Sequence, residues 1–133
     1  MAKEKILVVE DDRDLRLGLA RRLQASGYSV ALAADAMAAV RLARIEVPDL
    51  ILLDIGLPAG DGFTVMEHYA QLGSLGAIPV VVLTGRDPSV TEARARNMGV
   101  AGFLTKPVEN DKLLSTIARA LRGEPDPAAI DTP

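Results

Sequence analysis

The chain has 133 residues, 49% of them apolar, and a formal charge of −3. These values suit one globular domain that can bury its own core without a metal or disulfide staple. The chain has no cysteine, which excludes thiol nucleophiles, thiolate metal sites and disulfides, and fits a cytoplasmic location. Basic residues are scattered among acids and no apolar run approaches the roughly 20 residues of a membrane span, so neither direct nucleic-acid binding nor membrane insertion is expected.

Five short apolar runs have the length of β-strands and alternate with longer stretches that suit helices. The predicted strands are Lys5–Val9, Tyr28–Leu32, Leu50–Leu53, Pro79–Leu83 and Gly102–Leu104. The third and fourth runs are apolar without alternation, as expected for parallel strands that helices cover on both faces. The pattern therefore predicts an α/β domain with a doubly wound parallel sheet, built from five consecutive βα units.

The predicted helices carry apolar stripes and recognisable end signals. The stripes consist of Leu15, Leu19 and Leu23 in the first helix, Phe63, Met66 and Tyr69 or Ala70 in the third, and Leu113 or Leu114, Ile117 and Leu121 in the fifth. Asp61-Gly62 is expected to open the third helix, Asp87-Pro88 to open the fourth, and Gly99 to close it. The fourth helix, Pro88–Met98, has few apolar residues and should be held less firmly than its neighbours.

One domain boundary is expected near the carboxyl end. Residues 1–122 are predicted to form the domain, because the periodic pattern extends that far. Residues 123–133 contain repeated prolines and no period, so they are predicted to be a flexible tail or the start of a linker.

Polar residues follow the central strands at the point where ligands bind in open parallel sheets. These residues are Glu10, Asp11, Asp12, Asp54, Thr84 and Lys106. The first turn has acids where a phosphate-cradling loop would need glycines, so it favours a cation. If Asp11 and Asp54 lie about 5 Å apart at an effective dielectric of about 20, they repel each other by roughly 3 kcal/mol. A divalent cation would relieve this repulsion, and Mg²⁺ suits such an oxygen site.

Each of these residues also has an ordinary structural explanation. One acid of the first turn, most simply Asp12, can cap the first helix, and Asp54 can cap a turn. Thr84 can be a β-branched strand residue, and Lys106 a solvated charge before a helix. Their coincidence at one sheet edge favours a functional site, since an unpaired acid after a buried strand would be costly.

Four motifs, taken together, resemble the receiver domain of response regulators from two-component signalling systems. The motifs are Ile6–Asp12, Leu50–Pro58 followed by Asp61-Gly62, Val81–Thr84 and Phe103–Pro107. The similarity covers residues 4–122 with the motifs in the same order and spacing. It implies a flavodoxin-like receiver fold, a three-layer sandwich whose parallel five-stranded sheet has the strand order 2-1-3-4-5.

The resemblance also implies roles for the residues at the strand ends. Asp54 would be the phosphoacceptor, and Thr84 and Lys106 would bind the phosphoryl group. Mg²⁺ or Mn²⁺ would be held by Glu10, Asp11, Asp54 and the Gly56 carbonyl. Glu10 replaces the aspartate more usual in the family, and Gly56 has no side chain to shield an acyl phosphate.

The switch implied by the resemblance involves Thr84 and Phe103, whose ring would follow Thr84 when the phosphoryl group arrives. A simpler explanation of Phe103 is a strand residue packed at the sheet edge. The peptide bond between Lys106 and Pro107 is expected to be cis. The surface of the fourth helix, fifth strand and fifth helix would then bind an effector or a second copy of the chain.

The function implied is that of a phosphoacceptor switch, which assists its own phosphorylation and dephosphorylation and is not an enzyme. The donor would be a sensor histidine kinase or a histidine phosphotransfer protein. The polar side of the first helix is a candidate docking face, although a solvated helix face explains it equally well. That side carries Arg13, Arg16, Arg21 and Gln24. A stand-alone receiver, a relay protein and the first domain of a longer regulator all remain open.

Two other classes share part of the pattern. Phosphatases of the haloacid dehalogenase type also use a strand-end aspartate with Mg²⁺, but they need a second acid where this chain has Gly56. A flavodoxin-like binding module needs a phosphate-friendly first loop and flat aromatic surfaces. The chain has two Phe, two Tyr and no Trp, so both classes are disfavoured.

Overall fold

The computed structural model describes residues 3–56, 65, 67, 77–85, 93 and 95–124. The strands are β1 (Lys5–Val9), β2 (Ser29–Ala33), β3 (Leu50–Asp54), β4 (Val80–Thr84) and β5 (Gly102–Thr105). The helices are α1 (Arg13–Ala25), α2 (Ala36–Glu46) and a C-terminal helix (Asn110–Leu121). All five predicted strands are present, and each end lies within one residue of its predicted position.

The strands form one parallel sheet in the order β2-β1-β3-β4-β5, which confirms the doubly wound prediction and the strand order. The register aligns the carboxyl ends of the central strands. Val9 lies opposite Leu53, and Asp54 lies opposite Leu83. The residue after β1, Glu10, is therefore level with the last residue of β3.

Apolar side chains form a separate core on each face of the sheet, because successive strand residues point to opposite faces. Leu7, Ile51 and Leu53 pack on the face that α2 covers, with Ala39 and Ala43. The other face packs α1 and the C-terminal helix against the sheet; its core includes Ile6, Val8, Leu50, Leu52, Leu19, Leu23, Leu113 and Ile117. Every residue of β3 is buried. The result is the predicted three-layer arrangement.

Helix starts follow ordinary capping chemistry. Asp12 Oδ1 accepts from the Leu15 amide at 2.9 Å, as predicted, and Asp35 Oδ1 accepts from the Ala38 amide at 2.8 Å. Capping side chains of this kind satisfy amides that have no partner within the helix. No helix in the part of the chain that the structure describes is long and apolar enough to cross a membrane.

The predicted third and fourth helices fall largely outside the described residues. Val65, Glu67, Ala93 and residues 95–97 are helical. Gly99 has a φ of 79° and its amide donates to the Arg96 carbonyl at 3.0 Å, a conformation that commonly ends a helix. The predicted start signals at Asp61-Gly62 and Asp87-Pro88 lie outside the described residues, as do 125–133 of the predicted tail.

The C-terminal end of α2 has an unusual residue at its left-handed position. Val47 has a φ of 44°, and its amide donates to the Ala43 carbonyl at 3.2 Å. Glycine or asparagine normally occupies this conformation, since a β-branched side chain crowds the backbone there. The strain is on the order of 1–2 kcal/mol.

Gly102 allows the C-terminal helix to approach β5 closely. A Cβ atom at this position would lie 2.6 Å from Thr116 Cγ2 and 3.4 Å from Val81 Cγ2. Real Cβ atoms essentially never approach another atom at the shorter distance, so either the Thr116 side chain or the helix that carries it would have to shift. Gly18, inside α1, differs because a Cβ there meets nothing within 4 Å.

These two glycines predict opposite effects of the same substitution. Gly102→Ala should lower the free energy of unfolding by about 1–3 kcal/mol through overpacking. Gly18→Ala should raise it by about 0.5–1 kcal/mol, because alanine is the better helix former and has room. Urea denaturation of both variants measures the difference. Equal stability of Gly102→Ala and the wild type would show that Thr116 or its helix can shift without cost.

Candidate functional site

Three acidic side chains meet at the carboxyl end of the sheet. Glu10 follows β1 and Asp54 ends β3, and these residues are 0% and 3% exposed. Asp11 is exposed, and carboxylate oxygens of all three residues lie within 4.8 Å of one another. The register of β1 and β3 produces this cluster, as expected from the positions of the acids at strand ends.

Lys106 supplies the positive charge within the cluster. Its Nζ atom, carried on the segment after β5, lies 3.0 Å from Asp54 Oδ2 and 2.7 Å from Glu10 Oε1. Burial lowers the pKa of Lys106, but the contacts with Glu10 and Asp54 together outweigh burial and leave this pKa raised. The lysine is therefore held as a cation between two buried carboxylates.

Burial raises the pKa of the Glu10 carboxyl from 4.5 to about 7. Lys106 and the Asp12 amide, which donates to Glu10 Oε2 at 3.0 Å, oppose this rise, and the nearby charge of Asp54 adds to it. Sequence reasoning considered only the repulsion between Asp11 and Asp54. In the structure, burial is the largest cause of the raised pKa of Glu10.

The Asp54 carboxylate is fixed by one partner on each oxygen. Oδ1 accepts from the Gly56 amide at 2.8 Å, and Oδ2 accepts from Lys106 at 3.0 Å. A Cβ at position 56 would lie 3.3 Å from Asp54 Oδ1, so the glycine leaves this oxygen uncrowded. The carboxylate is consequently oriented by the turn that immediately follows β3.

Thr84 and Phe103 lie on the β4 and β5 side of the cluster. Thr84 is 3% exposed, and its carbonyl accepts from the Lys106 amide at 2.8 Å. Phe103 is half-buried and packs against the core on the α2 face of the sheet. It borders an open cavity of about 370 Å³ lined by residues 103–109 and Lys112. The peptide bond between Lys106 and Pro107 is cis.

Two arginines from α1 hold the backbone around the cluster. Arg16 Nη1 donates to the Glu10 carbonyl at 2.9 Å and to the Asp11 carbonyl at 3.2 Å. Arg22 Nη1 donates to the Val108 carbonyl at 2.8 Å. Sequence reasoning placed Arg16 on a docking face and missed both contacts. An arginine in the first turn after an acidic loop was the available signal for Arg16; none pointed to Val108, 86 residues from Arg22.

The donor set suits a hard divalent cation. Glu10 Oε1 is buried, and its contact among the described residues is the 2.7 Å ion pair with Lys106. Carboxylate oxygens of Asp11 and Asp54 lie within 4.8 Å of a Glu10 carboxylate oxygen. Oxygen donors of this kind bind Mg²⁺ and Mn²⁺.

Comparison with known proteins agrees with this geometry. Residues 6–118 match the family model described as the response regulator receiver domain. This chain belongs to the receiver domain family of response regulators. The receiver domain is a module of two-component signalling.

Relatives of this receiver domain include proteins of similar length and longer ones. Protein PilH of Pseudomonas aeruginosa is 34% identical over 119 residues, which cover 90% of this chain and 98% of PilH. Response regulator MprA of Mycobacterium leprae is 39% identical over 127 residues, covering 94% of this chain and 54% of MprA. The receiver domain thus spans about half the length of the MprA relatives.

Solved structures share the fold of this receiver domain. Chemotaxis protein CheY4 of Vibrio cholerae superposes with a TM-score of 0.84 at 28% identity, covering 90% of this chain and 99% of CheY4. The signal receiver domain of a signal transduction histidine kinase from Syntrophus aciditrophicus gives a TM-score of 0.81 at 31% identity. That match covers 90% of this chain and 91% of the other.

The raised pKa of Glu10 predicts a pH-dependent stability. Between pH 4.5 and 7 the folded receiver domain binds more protons at Glu10 than the unfolded chain does, so the free energy of unfolding falls as pH rises through this window. From about pH 5 to about pH 7.5 in EDTA, the wild type should lose about 2 kcal/mol more than Glu10→Gln.

Urea denaturation at several pH values measures this loss. Glu109→Gln removes an exposed carboxylate and should follow the wild-type profile. Parallel profiles for Glu10→Gln and the wild type would mean that Glu10 is charged throughout the range.

Proposed function

We propose that this receiver domain accepts a phosphoryl group on Asp54 from the phosphohistidine of a partner protein. The main support is the position of the Lys106 ammonium, 3.0 Å from Asp54 Oδ2. Carboxylate oxygens of Glu10, Asp11 and Asp54 also lie within 4.8 Å of one another. A lone carboxylate at the end of a buried strand would be costly. With a lysine on one side and acids for a cation on the other, it has the surroundings that a phosphoryl acceptor needs.

The proposed reaction is an in-line displacement at phosphorus. An Asp54 oxygen forms the new P–O bond while the P–N bond to the donor imidazole breaks, and the bonding electrons leave with the imidazole nitrogen. Lys106 offsets negative charge on the phosphoryl oxygens, and the Thr84 hydroxyl donates to one of them. The Gly56 amide keeps the carboxylate oriented through its 2.8 Å bond to Oδ1. Most of the catalytic effect is positioning.

Mg²⁺ or Mn²⁺ is the proposed cofactor of this site. Glu10, Asp11, Asp54 and the carbonyl of Gly56 would hold it, and it would supply positive charge for the transferred group. The cation and Lys106 draw on the same oxygens of Glu10 and Asp54. Binding is therefore expected to be weak, because a metal must share these carboxylates with an ammonium already present.

A sensor histidine kinase or a histidine phosphotransfer protein is the proposed phosphoryl donor. The exposed polar residues Arg13, Arg21 and Gln24 of α1 lie on the helix that follows the acidic turn and are available for docking. Arg16 is already engaged with the carbonyls of Glu10 and Asp11, so it contributes to the loop and less to a docking surface. A phosphotransfer assay with the variant Arg13→Glu/Arg21→Glu tests this docking face. An unchanged rate of phosphotransfer would show that the donor does not dock there.

Phosphorylation is proposed to alter the surface formed by β5 and the elements beside it. The Thr84 hydroxyl would move toward the phosphoryl group, and the ring of Phe103 would enter the space released. Phe103 borders the open cavity beside β5, so its movement would change that surface. A two-state change of this kind needs only a few kcal/mol of differential stabilisation, which new charge-assisted hydrogen bonds can supply.

Phosphorylation with acetyl phosphate is the direct test of the acceptor. The wild type should gain the mass of one phosphoryl group in the presence of Mg²⁺, and Asp54→Asn should gain none. Asp49→Asn, at the other end of β3 and exposed, is the matched control and should be modified normally. Intact-mass spectrometry measures both, and full modification of Asp54→Asn would rule out this acceptor.

Removal of one predicted ligand should weaken cation binding. Asp11→Asn is expected to lower the Mg²⁺ affinity by about tenfold, since a charged ligand becomes neutral. Asp14→Asn removes an exposed acid of the first α1 turn and should change the affinity much less. The chain has no tryptophan, so amide chemical shifts during Mg²⁺ titration are a suitable readout. Unchanged affinity in Asp11→Asn would exclude Asp11 as a ligand.

The switch can be tested with beryllofluoride as a phosphoryl mimic. Hydrogen exchange should change in β4, in β5 and in residues 95–101, and should stay constant in β2, which is remote from the site. Phe103→Leu should reduce the response in β5 while ligand binding is retained. Constant protection throughout β4 and β5, with beryllofluoride bound, would mean that Thr84 and Phe103 do not transmit the signal.

A further inference from the structure

The exposed large apolar side chains of the described residues are confined to α2 and its C-terminal cap. Met37 is 85% exposed, Ile45 is 67% exposed and Val47 is 64% exposed. Residues 37, 41 and 45 are spaced four apart, so they form one stripe along the outer side of the helix. The distance from Met37 to Ile45 along the axis is about 12 Å, or roughly two helical turns.

Two arginines give this stripe a positive charge. Arg41 lies between Met37 and Ile45, and Arg44 borders the same stripe. Both are exposed, and neither forms an ion pair with any residue in the described ranges. We refer to Met37, Arg41, Arg44, Ile45 and Val47 as the outer α2 surface.

The acids around the outer α2 surface already have partners. The Asp35 carboxylate accepts from the Ala38 amide at 2.8 Å. Glu46 pairs with Lys5 Nζ at 2.6 Å, and Asp49 accepts from the Lys5 amide at 2.7 Å. The acids are therefore committed to capping and strand contacts, while the arginines remain available to a partner.

Val47 is an independent indication that the outer α2 surface is used. Its φ of 44° is unfavourable for a β-branched residue, and its side chain is mostly exposed. Neither packing nor backbone conformation therefore explains a valine where glycine or asparagine would be relaxed. Local strain retained at an exposed apolar residue is typical of a contact site.

We propose that the outer α2 surface binds an acidic amphipathic helix of a partner protein. Apolar side chains of that helix would contact Met37, Ile45 and Val47, and its carboxylates would pair with Arg41 and Arg44. A helix matches a straight stripe two turns long. A second copy of this chain fits poorly, because a symmetric α2 contact would place arginines against arginines. A bilayer fits poorly too, because anionic membranes are bound by clusters of about four to eight basic residues.

A designed peptide pair tests the proposal. The probe is a helical peptide of about 18 residues with leucine on one stripe and glutamate beside it; the comparison peptide has lysine at each glutamate position. Amide chemical shifts of the labelled chain report binding. The acidic peptide should give saturable shifts confined to residues 36–47, with affinity at least about tenfold above that of the lysine peptide.

Charge reversal supplies the decisive variant. Arg41→Glu/Arg44→Glu should weaken binding of the acidic peptide at least about tenfold and strengthen that of the lysine peptide. Arg119→Glu/Arg122→Glu makes the same change on exposed arginines at the end of the C-terminal helix and should keep the wild-type preference. Equal binding of both peptides, shifts centred outside the outer α2 surface, or no saturable binding would each overturn the proposal.

Val47→Asn distinguishes a functional residue from a structural one. Asparagine tolerates the left-handed conformation, so the variant should melt a few degrees higher than the wild type while binding the acidic peptide more weakly. A higher Tm with unchanged peptide binding would show that Val47 is not part of the binding surface. If sedimentation shows a dimer that Met37→Ser abolishes, the surface binds a second copy of the chain instead. If the chain binds phosphatidylglycerol vesicles and Arg41→Glu/Arg44→Glu abolishes that binding, the surface binds a bilayer instead.

Discussion

The ammonium of Lys106 between two buried carboxylates is the interaction on which the site depends. Parallel strands place Glu10 and Asp54 at the same edge of the sheet, where both side chains are almost fully shielded from water. Lys106 Nζ offsets the negative charge of both carboxylates, at 2.7 Å from Glu10 Oε1 and 3.0 Å from Asp54 Oδ2. The contact joins the segment after β5 to the ends of β1 and β3, so the polar centre also fixes the relative position of three strands.

The fold was predictable because its information is local and repeated. Each strand contains a short apolar run, and the unbroken apolar run of β3, which is buried along its whole length, is typical of a central strand. Asp12 was recognisable as a helix cap from its position before the first amphipathic stripe. The strand order could not be derived from periodicity alone, because hydrophobic runs do not state which strand lies beside which; it came from the resemblance of the motifs.

The residues that form the site could be predicted from the sequence, but the effect of burial on their pKa values could not. That Glu10, Asp54 and Lys106 gather at one edge followed from where strands end. That burial raises the pKa of Glu10 did not follow, because the burial of a side chain depends on tertiary packing that the hydrophobic pattern does not specify. The contacts of Arg16 and the strained backbone of Val47 were also missed. Arg16 donates to carbonyls of the loop before its own helix, and Val47 adopts a backbone conformation that its residue type disfavours; the hydrophobic pattern indicates neither.

The hydrogen bond from Arg22 to the Val108 carbonyl has a mechanical consequence. It joins the last turn of α1 to the segment that carries Lys106, two residues before Val108, across 86 residues of sequence. Displacement of this end of α1 would therefore lengthen or break the hydrogen bond unless Val108 moved with the helix. The backbone two residues beyond Lys106 is thus tied to a helix on the outside of the sheet, and not to the strands alone.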